Sequence, residues 1–538
     1  MKGDSLSWRV ALAFALAALP WLNPLSRGPS PSATPWMASA VCGIALWILA
    51  ATGASRPRIP RGLAVIAFAL VAWAALAHLP VRPEVAMLAG GLLLLVLAAG
   101  FAPVPELARG MQAGFLFAAA ASAVLGLVQY FGLSPLLAPW SNTAEAGEAY
   151  ANLRQPNQYA TLCWIGGAIV LFGTLRLHRA AAMALLVLLA AGSAASVSRT
   201  GLLQGLVLTL LAAWWPGPRR ERLQLCAVAA IAYFAATVLL PVALDAATGA
   251  TPARTLWGRL SGGNPCSSRV VLWSNVLHLI AQKPIAGWGW GELDFAHFTT
   301  LYAGPRFCDI LDNAHSLPLH VAVELGVPAA VLVCAIAVIW TLRQRPWSEG
   351  VPRRQLAWAL LALVVLHSLL EYPLWYGPFQ VASGAALGWL LVRPQALDAP
   401  ARPRAPAFAL AAVLLAATGY AAWDYTRVSQ IYLPPERRVE RWADDTLQVA
   451  RQSWLFRGPA RFADLTLDTP GRANAQRMHA LALDVLHYSP EPRVIERAIE
   501  SATLLGRDDE AVALLARYRA AFPSDYEAWR RAQGLAAP

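Results

Sequence analysis

The sequence predicts an all-α, polytopic membrane protein with about thirteen transmembrane helices, one large polar loop and a small helical domain at the C-terminal end. Three observations carry that expectation. The 538-residue chain is 57% hydrophobic and only 14% charged. Its apolar residues fall in repeated runs of roughly 17 to 25, the length at which a helix crosses a bilayer. After Trp423 the character changes: charges of both signs appear and no run is long enough to span. The formal net charge of +12 would suggest nucleic acid in a soluble domain. Here the basic residues sit mostly in short loops between apolar runs, where they set orientation, so no nucleic-acid partner is expected.

Taken in order, Lys2 and Arg9 precede a first apolar run over 10–22. The run lacks a clear small-residue cleavage site and many further spans follow, so a retained helix is expected rather than a cleaved signal. Further spans are expected over 36–52, 63–79, 85–102 and 111–131. A polar stretch with Asn142, Glu145 and Glu148 leads into Asn152-Leu153-Arg154-Gln155-Pro156-Asn157-Gln158, followed by spans over 159–175 and 180–197. Arg199 lies in a tight turn before 202–215, and a span over 222–244 precedes the polar segment 245–315. That segment carries Arg254, Arg259, Arg269 and Arg306 and ends in Asp309-Ile310-Leu311-Asp312-Asn313-Ala314-His315. Apolar segments then cover 317–342, 356–370, 379–392 and 408–423.

The positive-inside rule orients this count. With a cytoplasmic N terminus, the inner loops hold Arg56, Arg58 and Arg61, Arg109, Arg176 and Arg179, Arg219, Arg220 and Arg222, Arg343 to Arg354, and Arg393 to Arg404. The short outer loops hold single arginines such as Arg27, Arg82, Arg154 and Arg199. The 152–158 stretch, Arg199, the long loop and the Glu371-Tyr372-Pro373 turn therefore share the outer face with the C-terminal region. This divides the chain into a membrane domain, 1–423, and an outer helical domain, 424–538. In the latter, Ala498, Ala502, Leu504 and Leu505, a turn at Gly506, then Ala511, Leu514, Leu515, Tyr518 and Phe522 have the pattern of a tetratricopeptide-like helix pair.

Of six cysteines, Cys266 and Cys308 fall in the long loop, where an oxidising compartment makes them a candidate disulfide, two separate thiols being the alternative. No CxxC or His/Cys cluster suggests zinc.

The candidate chemistry gathers on the outer face. A pyrophosphate-bearing substrate needs permanent, forked cations, which arginine supplies. Arg199 in its short turn and Arg269, at the head of an apolar-striped segment over 270–282 that would lie along the interface, fit that need. The bland reading is that both snorkel to lipid headgroups. Histidine as a residue type can take up and release a proton near neutrality, so His315 suits an acceptor hydroxyl that loses its proton, against the bland role of a capping or packing histidine. His320 and His367 look like core histidines. Glu371, one helical turn beyond His367, is an ionisable group at an apolar boundary. Asp309 and Asp312 with His315 have no distinctive metal spacing, and no metal is expected.

Together, Asn152-x-x-Gln155-Pro156-Asn157, Ser198-Arg199-Thr200-Gly201, Ser268-Arg269 with Trp273 and then Pro284-x-x-Gly287-x-Gly289, and Asn313-x-His315 with Glu324-Leu325-Gly326 resemble the O-antigen ligase and polymerase superfamily. The string His367-Ser368-Leu369-Leu370-Glu371-Tyr372-Pro373-Leu374-Trp375-Tyr376 is similar to the branch of bacterial protein O-oligosaccharyltransferases. Ser316 departs from the asparagine expected after the histidine in many relatives. The resemblance implies a fold similar to the GT-C glycosyltransferases, placed in the bacterial inner membrane with a periplasmic site. It implies transfer of an oligosaccharide from undecaprenyl diphosphate to a hydroxyl of an exported, pilin-like protein. Arg199 and Arg269 would hold the diphosphate, and His315 would assist the acceptor hydroxyl or bind phosphate. Gln155, Asn157, Asn313, Glu371 and Tyr372 would position substrate, with no cofactor. Two rivals stand beside this: an O-antigen ligase to lipid A core or polymerase, and a flippase or solute transporter. Against the last, ionisable residues are nearly absent from span centres.

Overall fold

Runs built largely of alanine and leucine lose the least on entering a helix, and in the computed structural model of the chain every regular element among the described residues is helical. The structure describes residues 7–25, 32–252, 255–256, 258, 266–392 and 403–534. Lys2, Arg27, Arg254, Arg259, Arg393 and Arg402 lie outside them.

The first half consists of α1 (Trp8–Leu22), α2 (Ala33–Thr52), α3 (Arg61–Leu76), α4 (Pro83–Phe101), α5 (Pro105–Tyr130), α6 (Pro156–Phe172), α7 (Arg179–Ala195), α8 (Arg199–Trp214) and α9 (Arg219–Thr248). The long loop contains α10 (Arg269–Gln282) and α11 (Leu293–Thr299). After it come α12 (Leu317–Leu325), α13 (Val327–Gln344), α14 (Pro352–Ser368), α15 (Gly377–Leu391) and α16 (Ala405–Ser429). Proline occupies the first turn of α4, α5, α6, α12, α13, α14 and α15, where its missing N–H costs no hydrogen bond.

Among the described residues, six helices are long and apolar enough to cross a membrane: α2, α4, α5, α9, α13 and α16, the last two counted with short extensions to Ser348 and Tyr432. Helices α1, α3, α7 and α8 are apolar but shorter. The stretch predicted as one span over 317–342 is two helices, because Gly326 at φ +89° breaks it. A Cβ at Gly326 would meet the Ile285 carbonyl, so only glycine admits that crossing. The segment after α10 is laid against the break by three backbone hydrogen bonds, Trp288 N to Val323 O, Gly289 N to Glu324 O and Val327 N to Pro284 O.

The main core joins α1, α2, α4 to α9, α14 and α15. Small residues bring the backbones together: Gly110 and Gly114 of α5 lie against the main chain of α1, and Gly384 and Gly388 of α15 against Leu95 and Ala99 of α4. In a bilayer, packing and not water drives helices together, so such close approach is the main source of cohesion.

A second core forms around α10 and α12. The α10 face made of Leu272, Val276, Leu279 and Ile280 is buried against α12, while Val270 and Leu277 remain exposed. The stripe expected to lie along the lipid interface therefore packs on protein, because α12 offers Val321, Ala322 and Leu325 at matching positions.

Beyond α16 follow α17 (Thr446–Arg451), α18 (Arg457–Leu467), α19 (Ala475–Val485), α20 (Pro492–Leu504), α21 (Asp508–Ala521) and α22 (Pro523–Ala532). Val494, Ile495, Ala498, Ile499 and Ala502 line one face of α20 and meet Leu514 and Tyr518 of α21 across a turn at Gly506. Phe298 of α11, 2% exposed, inserts into this core, and Arg517 Nε donates to Thr299 O.

Candidate active site

A carboxylate at the end of an apolar helix must find cations and donors or lose its charge. Glu371 finds three. It follows α14 by one turn, its N–H bonded to His367 O, and its side chain is 11% exposed. Arg269 Nη2 donates to Oε1 at 2.8 Å and Asn157 Nδ2 donates to the same oxygen at 3.1 Å. His315 Nδ1 lies 2.9 Å from Oε2. Burial works against the Glu371 charge, but the hydrogen bond and charge of His315 and the nearby Arg269 outweigh it, holding the carboxyl below its ordinary value.

Each partner is fixed locally. Arg269 is the first residue of α10, which Ser268 caps by accepting from Val271 N. His315 stands at φ +49°, a left-handed conformation that costs a non-glycine residue energy and concentrates at functional sites. Asn313 Oδ1 secures it by accepting from His315 N at 2.9 Å, an Asx turn, and Trp273 Nε1 of α10 donates to Ala314 O. The turn bearing His315 is thus tied to the helix bearing Arg269.

Asn157 is the hub toward Arg199. Its Oδ1 accepts from Ser198 Oγ at 2.6 Å, and that oxygen also caps α8 by accepting from Gly201 N at 3.0 Å. Arg199, exposed, is the first residue of α8. The same Asn157 backbone carbonyl accepts from Thr161 Oγ1, which contacts Gln204 and, at 2.9 Å, His367 Nδ1. A polar chain therefore runs from Glu371 into the bundle, and His320 and His367 are both buried, as expected of core histidines.

Among the residues singled out in the sequence, the structure gathers Asn157, Arg269, Asn313, His315, Glu371 and Tyr372, whose ring meets His315 edge-on at 5.2 Å. Ser198, the residue before Arg199, is bonded to this group through Asn157. Gln155 is engaged in capping α6, its Oε1 accepting from Gln158 N. Burial raises the Tyr372 hydroxyl, which is therefore a neutral donor. The Asp312 carboxyl is also raised, first by the desolvation imposed by the surrounding protein although its tip reaches solvent, against the pull of His315 and His320. Cys266 and Cys308 are disulfide-bonded, with Cα atoms 5.5 Å apart, tying the start of α10 to the approach to His315. Among the described residues, no group of three or more His, Cys, Asp or Glu side chains converges as a metal site.

Sequence reasoning did not find Ser198 as a link or the aromatic surroundings of Tyr372. The first had a signal, a serine immediately before a helix. The second had none, since Trp290 lies far from Trp375 in the chain.

Residues 355–536 match a family described as virulence factor membrane-bound polymerase, C-terminal, and residues 184–334 match one described as O-antigen ligase. A general O-oligosaccharyltransferase of Acinetobacter baylyi is 25% identical over 265 residues, covering 47% of this chain and 45% of that protein. A ComP-specific O-oligosaccharyltransferase of the same organism is 24% identical over 124 residues, covering 23% of this chain and 22% of that protein. The matched segments thus span less than half the length of either relative.

Proposed function

The chain belongs to the superfamily of O-antigen ligases and O-oligosaccharyltransferases, and from that membership we propose that it transfers an oligosaccharide en bloc from an undecaprenyl-diphosphate-linked donor to serine or threonine hydroxyls of an exported, pilin-like protein. On this reading it is a multi-pass enzyme of the bacterial inner membrane, with about thirteen spans, a cytoplasmic N terminus and a periplasmic site. The observation that carries the proposal is the cluster in which Glu371 binds Arg269, His315 and Asn157 together.

The chemistry follows from that cluster. With Nδ1 directed at Glu371, the imidazole keeps Nε2 to accept the acceptor hydroxyl's proton, the arrangement in which a carboxylate orients a histidine base. The hydroxyl oxygen forms a bond to the anomeric carbon as the bond to the diphosphate oxygen breaks. The electron pair leaves on undecaprenyl diphosphate. Arg269 and Arg199 neutralise the charge developing there, which makes the diphosphate a better leaving group. Removing one such stabilising group typically costs 10²–10³ in kcat.

The second reading, ligation of O-antigen to lipid A core or polymerisation, is favoured by the match of 184–334 to the O-antigen ligase family. Reconstitution with lipid-linked glycan and either purified pilin or lipid A core separates the two. We expect transfer to pilin, and a loss of roughly 10² or more in His315→Ala and Arg199→Ala. Transfer to core alone would replace the acceptor assignment, and full activity in both variants would remove the mechanism.

A further inference from the structure

We propose that Tyr372, Trp375 and Trp290, with Asp312 at their edge, form the subsite for the donor sugars nearest the diphosphate. The proposal rests on the lipid-linked-glycan reading above and adds to it where the glycan sits.

Three rings run in a row from His315. Tyr372 meets the imidazole edge-on at 5.2 Å, Trp375 follows at 6.4 Å from Tyr372, and Trp290 stacks on Trp375 at 5.8 Å with an interplanar angle of 13°. All three are partly exposed. His320, by contrast, is buried beneath them and meets both tryptophans edge-on, at 4.8 Å from Trp375 and 5.5 Å from Trp290. The rings are thus held from below and open in part to the site, a pre-organised platform.

A sugar ring has an apolar C–H face whose hydrogens carry slight positive charge, and it suits the negative face of an aromatic ring. Its hydroxyls point to the rim and need acceptors there. The Asp312 side chain is exposed three residues before His315. It lies within electrostatic reach of His315, His320, Tyr372 and Tyr376. Among the described residues no other side chain hydrogen-bonds it, its own backbone N–H being its partner, whereas the Glu371 carboxylate is engaged by three side chains. A solvent-reaching carboxylate with no other side chain bonded to it, beside aromatic faces, offers acceptors to the hydroxyls of a neutral polyol and repels a diphosphate. The arginines and the aromatic row thereby divide the donor between them, charge on one side and sugar on the other.

The test uses the full-length enzyme in lipid nanodiscs and two probes, undecaprenyl diphosphate and the same lipid diphosphate carrying one N-acetylglucosamine. Wild type is expected to bind the sugar-bearing lipid about tenfold more tightly than the bare one, the scale of one aromatic contact. Trp375→Ala and Asp312→Asn should lose that preference while keeping the affinity for the bare lipid, and Trp375→Tyr should restore part of it. Arg269→Ala should weaken both lipids together. Equal binding of both lipids by wild type, or variants that keep the preference, would overturn the subsite while leaving the transferase reading intact. A parallel loss of both lipids in Trp375→Ala would show that the rings only brace the turn. If wild type binds neither lipid, the donor assignment fails and the subsite with it.

Discussion

Glu371 serves as acceptor for a guanidinium, an imidazole and an amide at once, so its loss would leave three groups without their shared partner. Glu371→Ala is expected to destabilise the fold by about 2 kcal/mol, the scale for hydrogen bonds to a charged group, as well as to abolish activity. Glu371→Gln should retain much of the stability and still lose activity, because an amide orients the imidazole without supporting its positive charge; thermal unfolding and transfer rate, measured on both variants, separate the effects. The pH dependence has a definite sign. Because the Glu371 carboxyl is held below its ordinary value of 4.5, its stabilising contribution is complete above that pH and is lost as pH falls through the folded value. His297 behaves alike for a different reason: burial first, then Arg306, lowers it from 6.5 to about 3. Below pH 6.5 the unfolded chain takes up a proton that the folded loop refuses, so stability falls by about 2 kcal/mol between pH 6.5 and pH 5. Hydrogen exchange of 297–307 at the two pH values measures this, and His297→Gln should flatten the dependence.

At the level of elements, the long loop is held by its disulfide and by the turn at Asn313. The bridge closes a loop with a sequence separation of 42, for which chain entropy gives a contribution of about 4 kcal/mol. The double variant Cys266→Ser, Cys308→Ser should therefore show faster exchange throughout the loop and a lowered transfer rate. Unchanged exchange would mean that the α10–α12 packing alone fixes it. Part of this was legible in sequence: Arg269 reads as the head of an apolar-striped segment and the cysteine pair as a candidate clasp, whereas Arg199, read as lying in a turn, is the first residue of α8. The direction of the α10 stripe was not, because amphipathicity gives a face and not what covers it. Nor was the break at Gly326, since an apolar run with one glycine reads as a continuous helix.

For the whole molecule, the C-terminal helices dock on the loop that carries Arg269 and His315 of the candidate site. Phe298 enters their core, His487 stacks on Phe295 at 3.7 Å, and Glu292 pairs with both Arg82 and His487. This assigns 294–307, the part of the loop that sequence left without a role, to joining the two regions. Phe298→Ala is expected to cost about 3 kcal/mol and to loosen the C-terminal helices, read as faster proteolysis of 446–532. An unchanged cleavage rate would mean that the polar contacts alone hold them.

Composition and hydropathy by themselves determined that the chain is helical and rich in apolar runs of membrane-crossing length, and the short polar strings between those runs singled out the candidate site residues. Those properties are local: they follow from run length, capping residues and the cost of burying charge. Only the tertiary structure decided that Asn157, Arg269, His315 and Glu371 meet, that the Asp312 side chain reaches solvent, and that Trp290 lies on Trp375. Such convergence depends on how elements far apart in the chain pack against one another, and no local pattern in the sequence encodes that packing.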